Sequence, residues 1–374
     1  MSNIKRKNFV KGLAAGTIAL PFLIRGLGGG QHANSQSAPG IISGEKYRWR
    51  MVTTWPPNFP VVGEGCTLFS KWVYEMSAGR MEIKVYGGGE LVPPLEVFDA
   101  VRNNAAEMGS GASYYWVGKI PAATFFTTIP FGMNAQQANS WMLSGGGLKL
   151  WEDLYDDFGL IPIPGGNTGF QMGGWFNREI NTMSDFNGLK MRMPGLGAKV
   201  LQKAGGTPIL LAGGEIFTGL ERGVIDATEW IGPYHDYLMG FYQIAKYYYS
   251  PGWHETGSVL EMLVNKDKFN ALPSDLQQII RTAAYRANHW MLSEFEAKNA
   301  IYLEKLINEE NVDLRQYPKE VLAQLKMYTK EVVEEAANAN EFSKKVYESY
   351  RSFMIKAAIW AKSSEKIFYD ELMS

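Results

Sequence analysis

The chain opens, after its first 45 residues, with alternating apolar and polar positions that predict a β-α-β unit. The alternation covers residues 47–53 and 81–86, and each run is followed by proline or glycine residues. Residues 64–76 lie between the two runs and repeat apolar side chains at helical spacing. A strand, a helix and a second strand in this order favour a parallel sheet covered by helices. The sequence therefore predicts an α/β fold.

The same pattern continues along the chain and predicts further short strands and helices. Gly145-Gly146-Gly147 interrupts one of the helical segments and favours a bend there. The predicted strands cover residues 106–110, 160–164, 168–176, 189–193 and 224–228, and the predicted helices cover residues 95–103, 136–158, 196–204 and 216–222.

Long helices follow in the last hundred residues. From Leu276 onward, apolar residues repeat at helical spacing, and a helix over residues 274–308 would measure roughly 50 Å at 1.5 Å per residue. That length exceeds the width of one lobe, so we expect this helix to brace both lobes or to reach beyond them. Further helical segments at 320–337 and 341–373 predict a helical, amphipathic tail.

Length and charge add two constraints to this picture. With 374 residues the chain is long enough for two lobes, since single cores rarely grow beyond about 250–300 residues. The composition is globular, at 46% hydrophobic and 20% charged, and the formal net charge is -1. Such a balance gives no electrostatic reason to expect nucleic acid as a partner.

The first 35 residues are predicted to be a secretory signal peptide. A positive start, Lys5-Arg6-Lys7, precedes an apolar run over residues 12–24 and a stretch of small residues. The apolar run is shorter than the roughly 20 residues that a membrane-spanning helix needs. Residues 6–11 resemble the twin-arginine export motif, with Lys7 at the position of the second arginine. We expect an exported protein that is soluble outside the cytoplasmic membrane.

Several kinds of chemistry are excluded by the residues present. Cys66 is the single cysteine, so neither an intrachain disulfide nor a multi-cysteine metal site can form. The four histidines lack zinc-site spacing, and the chain has no Gly-x-Ser-x-Gly elbow and no P-loop. Gly195-Leu196-Gly197 resembles the start of a dinucleotide fingerprint, but Val200 occupies the position of its third glycine. His254, beside Glu255, is interpreted as a structural histidine.

Polar residues at the ends of predicted strands form the candidate site. Arg192 lies near the carboxyl end of strand 189–193, where parallel sheets place ligands, and its guanidinium can hold a carboxylate through two hydrogen bonds. Glu229 follows strand 224–228, and Glu255 ends an aromatic run that begins at Tyr247. If the two glutamates converge, their charges repel unless one is protonated or a cation lies between them. Gln171, a polar residue in an apolar segment, can add a neutral oxygen to such a cation.

An aromatic group follows the predicted strand at 106–110. Tyr114 and Tyr115 stand directly after the strand end, where they can line a cleft. An alternative interpretation, equally supported by the pattern, is that they cap the core of the first lobe.

The motifs together resemble those of the substrate-binding proteins of tripartite ATP-independent periplasmic (TRAP) transporters. The resemblance is to the DctP family and within it to the branch that binds 2-oxo acids or lactate with a metal ion, and it covers nearly the whole mature chain. It rests on residues 168–176, 188–192, 212–227, 229–234 and 247–255.

The resemblance implies a role for each candidate residue. Arg192 would bind the substrate carboxylate, while Gln171, Glu229, the main chain of Trp230 and Glu255 would surround the metal, which also binds the substrate. Gln171 and Trp230 would face the substrate as well, together with the two tyrosines. With a substrate carboxylate, the site charges sum to -2, so a divalent ion leaves zero and a monovalent ion leaves -1. This favours calcium over sodium.

The resemblance also implies an architecture and partners. The expected fold is a two-lobed α/β periplasmic-binding-protein fold with a cleft between the lobes and long bracing helices. We expect lobe 1 at 46–142 plus 231–265, lobe 2 at 143–230 plus 266–318, and a helical C-terminal tail at 319–374. The protein would lie in the periplasm. Its partners would be a small carboxylate, a TRAP membrane permease and a second copy of the chain that exchanges C-terminal helices.

Two other functions remain compatible with the residues. One is a secreted metal-dependent enzyme acting on a small carboxylate, with Glu229 or Glu255 as the general base. The other keeps the receptor function but replaces the ligand by a larger or dicarboxylic acid.

Overall fold

The computed structural model describes residues 44–373 and contains two mixed β-sheets surrounded by helices. The predicted signal peptide lies outside the described residues. The strands are β1 Tyr47–Thr53, β2 Met81–Tyr86, β3 Met108–Gly111, β4 Leu160–Asn167, β5 Gly174–Phe176, β6 Lys190–Arg192, β7 Thr207–Ile209, β8 Ala227–Thr228, β9 Tyr247–Ser250, β10 Val259–Asn265 and β11 Asp313–Gln316.

The α-helices vary in length from one turn to the 35-residue α10. They are α1 Val62–Met76, α2 Val97–Arg102, α3 Thr124–Thr127, α4 Ala135–Ser144, α5 Gly147–Asp156, α6 Gly195–Lys203, α7 Ile216–Glu221, α8 Pro233–Leu238, α9 Lys266–Asn270, α10 Ser274–Asn308, α11 Lys319–Ala337, α12 Glu341–Ser363 and α13 Glu365–Ile367. Among the described residues, no helix is long and apolar enough to span a bilayer.

The first sheet has the strand order β2-β1-β3-β10-β4. Strands β1, β2 and β3 are parallel, as the opening β-α-β pattern predicts, and β10 runs antiparallel to both β3 and β4. The second sheet has the order β11-β9-β5-β8-β6-β7, in which β6, β7 and β8 are parallel. The parallel strands β6 and β8 bring their carboxyl ends to one edge of that sheet.

Two strands join sheets other than those that the predicted lobe boundaries imply. The strand β4 lies within 143–230, which was expected in lobe 2, yet it pairs with β10 in the first sheet. The strand β9 lies within 231–265, expected in lobe 1, yet it pairs with β5 in the second sheet. The chain therefore passes between the sheets three times, after residues 167, 250 and 265. We propose to divide the lobes by sheet membership.

The long predicted helix is present over its expected length. Its apolar face is buried at Leu276, Ile280, Ala283, Met291 and Phe295, where α10 packs against α1, α8 and β4. At about 1.5 Å per residue its 35 residues measure roughly 52 Å. The helix α10 therefore lies against β4, an edge strand of the first sheet, and also packs on α1 and α8.

The helix predicted over 136–158 is two helices, α4 and α5. Gly146 adopts φ 89, a left-handed conformation that glycine reaches without steric cost, and the helix ends there instead of bending. The tail predicted as one helix over 341–373 likewise consists of α12, α13 and a single π-turn at Phe368–Leu372. The outer face of α12 leaves Ile359 and Trp360 exposed.

Candidate functional site

Arg192 and Glu229 lie side by side at the carboxyl ends of two paired strands. Arg192 ends β6 and is in register with Thr228 of β8, so Glu229 follows immediately, and its backbone N–H donates to the Arg192 carbonyl at 3.3 Å. Both side chains are buried, and the Arg192 Nη1 group donates to Glu229 Oε1. The two residues predicted at strand ends thus lie side by side, and they form a buried ion pair that the sequence did not predict.

The remaining donors of Arg192 have neutral partners. Its Nε group donates to the carbonyl of Leu211 and its Nη2 group to the hydroxyl of Tyr115, each at 3.3 Å. Burial lowers the pKa of Arg192, but the neighbouring Glu229 carboxylate and other acidic groups outweigh burial and raise it. Arg192 therefore keeps its charge inside the protein, as a carboxylate-binding arginine must.

Gln171 and Glu255 meet where two loops cross. The backbone N–H of Gln171 donates to the Glu255 carbonyl at 3.3 Å, and the N–H of Gly252 donates to the Gln171 carbonyl at 3.0 Å. A Cβ atom at Gly252 would lie 2.2 Å from that carbonyl oxygen, so only glycine permits this crossing. The side chains are also joined, since Gln171 Nε2 donates to Glu255 Oε2 at 2.8 Å.

The strand predicted over 168–176 is shorter in the structure. Only Gly174–Phe176 pairs with neighbouring strands, and Gln171 lies on the preceding loop. Gly169 and Gly174 adopt φ values of 70 and 114, which break the extended conformation on both sides of Gln171. Gln171 is nevertheless buried, so the inference that its side chain needs polar partners holds, and Thr168 Oγ1 and Glu255 provide them.

The two glutamates converge with His254 into one cluster. Glu229, His254 and Glu255 each offer one ligand atom within 4.8 Å of the others. Burial, together with the nearby Glu229 charge, raises the pKa of Glu255 to about 7. The repulsion between two buried carboxylates that the sequence predicts is therefore present in the structure.

The donor atoms of this cluster suit a hard cation. Gln171 Oε1 and Glu229 Oε2 are buried and have no hydrogen-bond partner. Buried oxygens without donors are costly unless another ligand satisfies them, and calcium and sodium bind carboxylate and amide oxygens. Gln171, Glu229 and Glu255 would hold the ion, and the ion would supply a positive charge between the two carboxylates.

Trp230 forms one wall beside the ion pair. Its indole lies 5.2 Å from the Arg192 guanidinium, and its Nε1–H donates to His235 Nδ1 at 3.2 Å. Because Nδ1 accepts this bond, Nε2 carries the proton and donates to the carbonyl of Pro60 at 2.8 Å. Burial lowers the pKa of His235 to about 3, so the ring stays neutral and fixes the orientation of the indole.

Tyr114 and Tyr115 follow β3 of the first sheet and reach residues of the second sheet. The Tyr115 hydroxyl accepts a hydrogen bond from Arg192, and the Tyr114 ring lies against Gly195 at the start of α6. Burial raises the pKa of both phenols, which keeps them neutral. The cleft-lining interpretation agrees with these contacts, while a role of either tyrosine in substrate binding stays a prediction.

The structure adds three polar groups to the predicted set. Ser258 donates to Glu255 Oε2, Thr168 accepts from Gln171, and His254 Nε2 lies 3.3 Å from Glu229 Oε2. The adjacency of His254 to Glu255 is the signal that marks it in the sequence. Ser258 and Thr168 carry no such signal, because a single hydroxyl residue on a loop is common. The cluster as a whole offers one cation-binding region and one guanidinium, an arrangement for binding an anion with a metal ion.

Comparison with known proteins places this geometry in context. Residues 51–340 match the family described as bacterial extracellular solute-binding protein, family 7. A monocarboxylate 2-oxoacid-binding periplasmic protein of a Nostoc species is 42% identical over 318 residues, which are 85% of this chain and 87% of the relative.

Solved structures show the same fold. A TRAP periplasmic solute-binding protein from Pseudoalteromonas atlantica with bound sodium and pyruvate has a TM-score of 0.85 at 40% identity, and covers 87% of this chain and 99% of its own. One from Colwellia psychrerythraea with bound calcium and pyruvate has the same TM-score and the same coverage at 41% identity. A third, from Bordetella bronchiseptica, is a dimer with calcium and picolinate in one site, with a TM-score of 0.86 at 36% identity over 88% of this chain and 98% of its own. The predicted two-lobed binding-protein fold is confirmed.

Proposed function

The chain belongs to family 7 of the bacterial extracellular solute-binding proteins, the DctP family of TRAP transporter receptors, and we propose that it captures a small monocarboxylate together with a calcium or sodium ion. The family resemblance stated from the sequence motifs is thereby confirmed. Proteins of this family are solute receptors, so the chain is a receptor and not an enzyme, and the enzyme alternative is set aside.

One observation carries the ligand proposal. A buried arginine and two buried glutamates, Arg192, Glu229 and Glu255, meet beside oxygens that have no hydrogen-bond partner. A monocarboxylate with an oxygen at its second carbon can bind the guanidinium with its carboxylate and the ion with both groups. Relatives at about 40% identity contain pyruvate with sodium or calcium, which supports the same ligand class here.

Charge balance supports a cation as part of the bound complex. Glu229, Glu255 and a substrate carboxylate contribute -3, and Arg192 contributes +1, so the sum before the ion is -2. Burying an uncompensated charge costs several kcal/mol, which favours a divalent ion. We propose calcium as the preferred ion and sodium as the alternative.

The mechanism follows from which sheet supplies each contact. Tyr115 comes from the first sheet and Arg192 from the second, and their hydrogen bond joins the two sheets at the site. A substrate that touches both sides stabilises the closed arrangement over an open one by its differential affinity. The closed receptor would then deliver the acid and ion to a TRAP membrane permease.

Two measurements test the proposal. Native mass spectrometry of the purified protein should show a co-purified acid and ion, and calorimetry with pyruvate, lactate and longer 2-oxo acids should show saturable binding. A chelator should weaken binding by at least tenfold, and unchanged affinity in its presence would exclude calcium. Tighter binding of succinate than of pyruvate would instead favour the dicarboxylate alternative.

The exposed apolar face of α12 supports a homodimer through the C-terminal helices. Ile359 and Trp360 are 66% and 70% exposed, and the Bordetella bronchiseptica relative is described as a dimer. Light scattering should report a dimer that W360E converts to a monomer. Tyr74→Glu, at an exposed apolar residue of α1, serves as the control and should leave the mass unchanged.

The export proposal concerns the segment before the described residues. The family is extracellular, and residues 1–35 carry the pattern of a signal peptide. We propose the twin-arginine route, with Lys7 in place of the second arginine. Blocking that route in the host should retain the precursor in the cytoplasm, and normal export would assign the protein to the general secretory route.

A further inference from the structure

His254 is a buried histidine whose ring nitrogens have no hydrogen-bond partner. Its side chain is 1% exposed, and neither Nδ1 nor Nε2 has a partner. His235 provides the contrast, since it is equally buried but uses both nitrogens, one toward Trp230 and one toward Pro60. Leaving a buried polar group unsatisfied is costly, so a bound partner for the His254 ring is expected.

The ring faces the charged cluster of the site. His254 Nε2 lies 3.3 Å from Glu229 Oε2, an oxygen that also has no hydrogen-bond partner. The two atoms are close but do not form a hydrogen bond, because the ring N–H group does not point at the carboxylate. Glu229 is itself paired with Arg192, the proposed carboxylate-binding group. A bound acid would therefore place its oxygens close to the His254 ring.

His254 is also in close contact with Trp253 and with the first turn of α6. Its ring meets the Trp253 indole edge to face at 5.5 Å, and a Cβ atom built at Gly197 of α6 would lie 3.2 Å from His254 Cβ. Two residues earlier in the same helix, a Cβ atom at Gly195 would lie 3.2 Å from the Tyr114 ring. Two glycines thus let the first turn of α6 press against Tyr114 and His254, so His254 has little space to move toward α6 and away from a longer ligand.

We propose that His254 determines which acid the receptor accepts: a ring nitrogen hydrogen-bonds an oxygen of the bound acid, and the ring limits the length of its carbon chain. The proposal rests on the proposed function, because it requires a monocarboxylate in this site. It refines that function to the shortest members of the class. Gly197 is a positioning residue, since a side chain there would displace His254.

Two substitutions separate the halves of the proposal. His254→Phe keeps an aromatic ring of at least the same size and removes the nitrogens, so pyruvate affinity should fall about tenfold while the preference for short chains remains. His254→Ala removes the ring, so the affinity for 2-oxopentanoate relative to pyruvate should rise about fifteenfold, since each of its two additional methylenes contributes about fourfold once buried. His289→Ala, at an exposed position of α10, is the control and should match the wild type.

Calorimetry with pyruvate, 2-oxobutanoate and 2-oxopentanoate is the measurement, and circular dichroism checks that each variant is folded. Equal pyruvate affinity of H254F and the wild type would overturn the hydrogen bond. An unchanged ratio of 2-oxopentanoate to pyruvate affinity in H254A would overturn the length limit. If the wild type binds none of the three acids with or without calcium, the proposed function fails instead.

Discussion

Arg192 and Glu229 form a buried ion pair between the carboxyl ends of neighbouring parallel strands. The two side chains are each 1% exposed, so neither charge is compensated by water. An incoming substrate carboxylate and a cation can re-pair these charges, with the carboxylate on Arg192 and the cation on Glu229. Arg192 and Glu229 therefore neutralise each other when no ligand is bound. On binding, Arg192 would pair with the substrate carboxylate and Glu229 with the cation.

Replacing Arg192 by lysine tests the importance of the planar guanidinium. Lysine keeps the charge but cannot reach Glu229, Leu211 and Tyr115 together, so pyruvate affinity should fall at least tenfold. The free energy of unfolding should fall by about 2 kcal/mol, because hydrogen bonds to a buried charge are lost. Calorimetry and urea unfolding measure the two effects.

The control for that substitution is R178K. Arg178 is a partly exposed arginine that lies 3.7 Å from Asp226, and replacing an exposed pair should change stability by less than about 0.5 kcal/mol. If R192K binds pyruvate as tightly as R178K does, the guanidinium is not the carboxylate-binding group.

Part of this site could be predicted from the sequence because strand ends are local features. Arg192 and Glu229 each follow a recognisable apolar strand, and parallel strands bring their carboxyl ends together. The burial of individual side chains along one strand was less predictable. Alternation places Lys190 and Arg192 on the same face of β6, but Lys190 is exposed and Arg192 is buried. The residues that surround the end of the strand, and not the alternation, determine that Arg192 is buried.

The crossing of the loops that carry Gln171 and Glu255 could not be predicted. The two residues are 84 positions apart, and their contact depends on Gly252 permitting a close approach of two backbones. An apolar segment rich in glycine looks like a strand by composition, although Gly169 and Gly174 take left-handed conformations. Sheet membership of β4 and β9 was missed for a related reason, because pairing between distant strands leaves no local pattern.

Tyr115→Phe tests whether the contact between the sheets supports closure. The substitution removes a hydroxyl that accepts one hydrogen bond from Arg192, so affinity for the acid should fall about three- to tenfold. Stability should fall by about 1 kcal/mol, because a donor of the buried Arg192 charge loses its partner. Calorimetry and thermal unfolding measure the two quantities.

Tyr242→Phe is the matched control for this substitution. Tyr242 also accepts one side-chain hydrogen bond, from Gln243 at 3.2 Å, but it lies outside the site. The control should bind the acid as the wild type does. Equal affinity of Y115F and Y242F would show that the Tyr115 hydroxyl contributes nothing to closure.

Cation binding should depend on pH through Glu255. Burial, together with the charge of Glu229, raises the pKa of Glu255 to about 7, so a proton occupies this carboxylate below neutral pH and must leave when the ion binds. Calcium affinity should therefore fall about tenfold per pH unit below pH 7 and level off above it. Calcium titrations by calorimetry between pH 5.5 and 8 would measure the slope.

The variant E255Q supplies the comparison. Glutamine cannot bind a proton in this range, so its calcium affinity should be lower than that of the wild type at pH 8 and nearly constant with pH. The same steep pH dependence in E255Q would assign the titration to another group.

Glu261 should make the whole protein less stable as the pH rises. Its side chain is fully buried in β10, where Oε1 accepts from Trp116 Nε1 while Oε2 has no hydrogen-bond partner. Burial raises its pKa from 4.5 to about 7, and the hydrogen bond from Trp116 and the nearby Tyr155 hydroxyl oppose this only partly. Below pH 4.5 the carboxyl is protonated in both states, so its contribution to stability is complete there.

Between pH 4.5 and about 7 the unfolded chain loses this proton first, so the unfolded state binds fewer protons and the free energy of unfolding falls. The full loss is about 3 kcal/mol, from the size of the pKa difference. Glu261→Gln cannot ionise and retains an acceptor for Trp116, so it should gain stability relative to the wild type as the pH rises from 4.5 to 8. Urea unfolding at several pH values measures this difference directly. Glu82→Gln, at an exposed position of the same sheet, should show no such gain, and a gain equal to that of E261Q would mean that burial of Glu261 is not its cause.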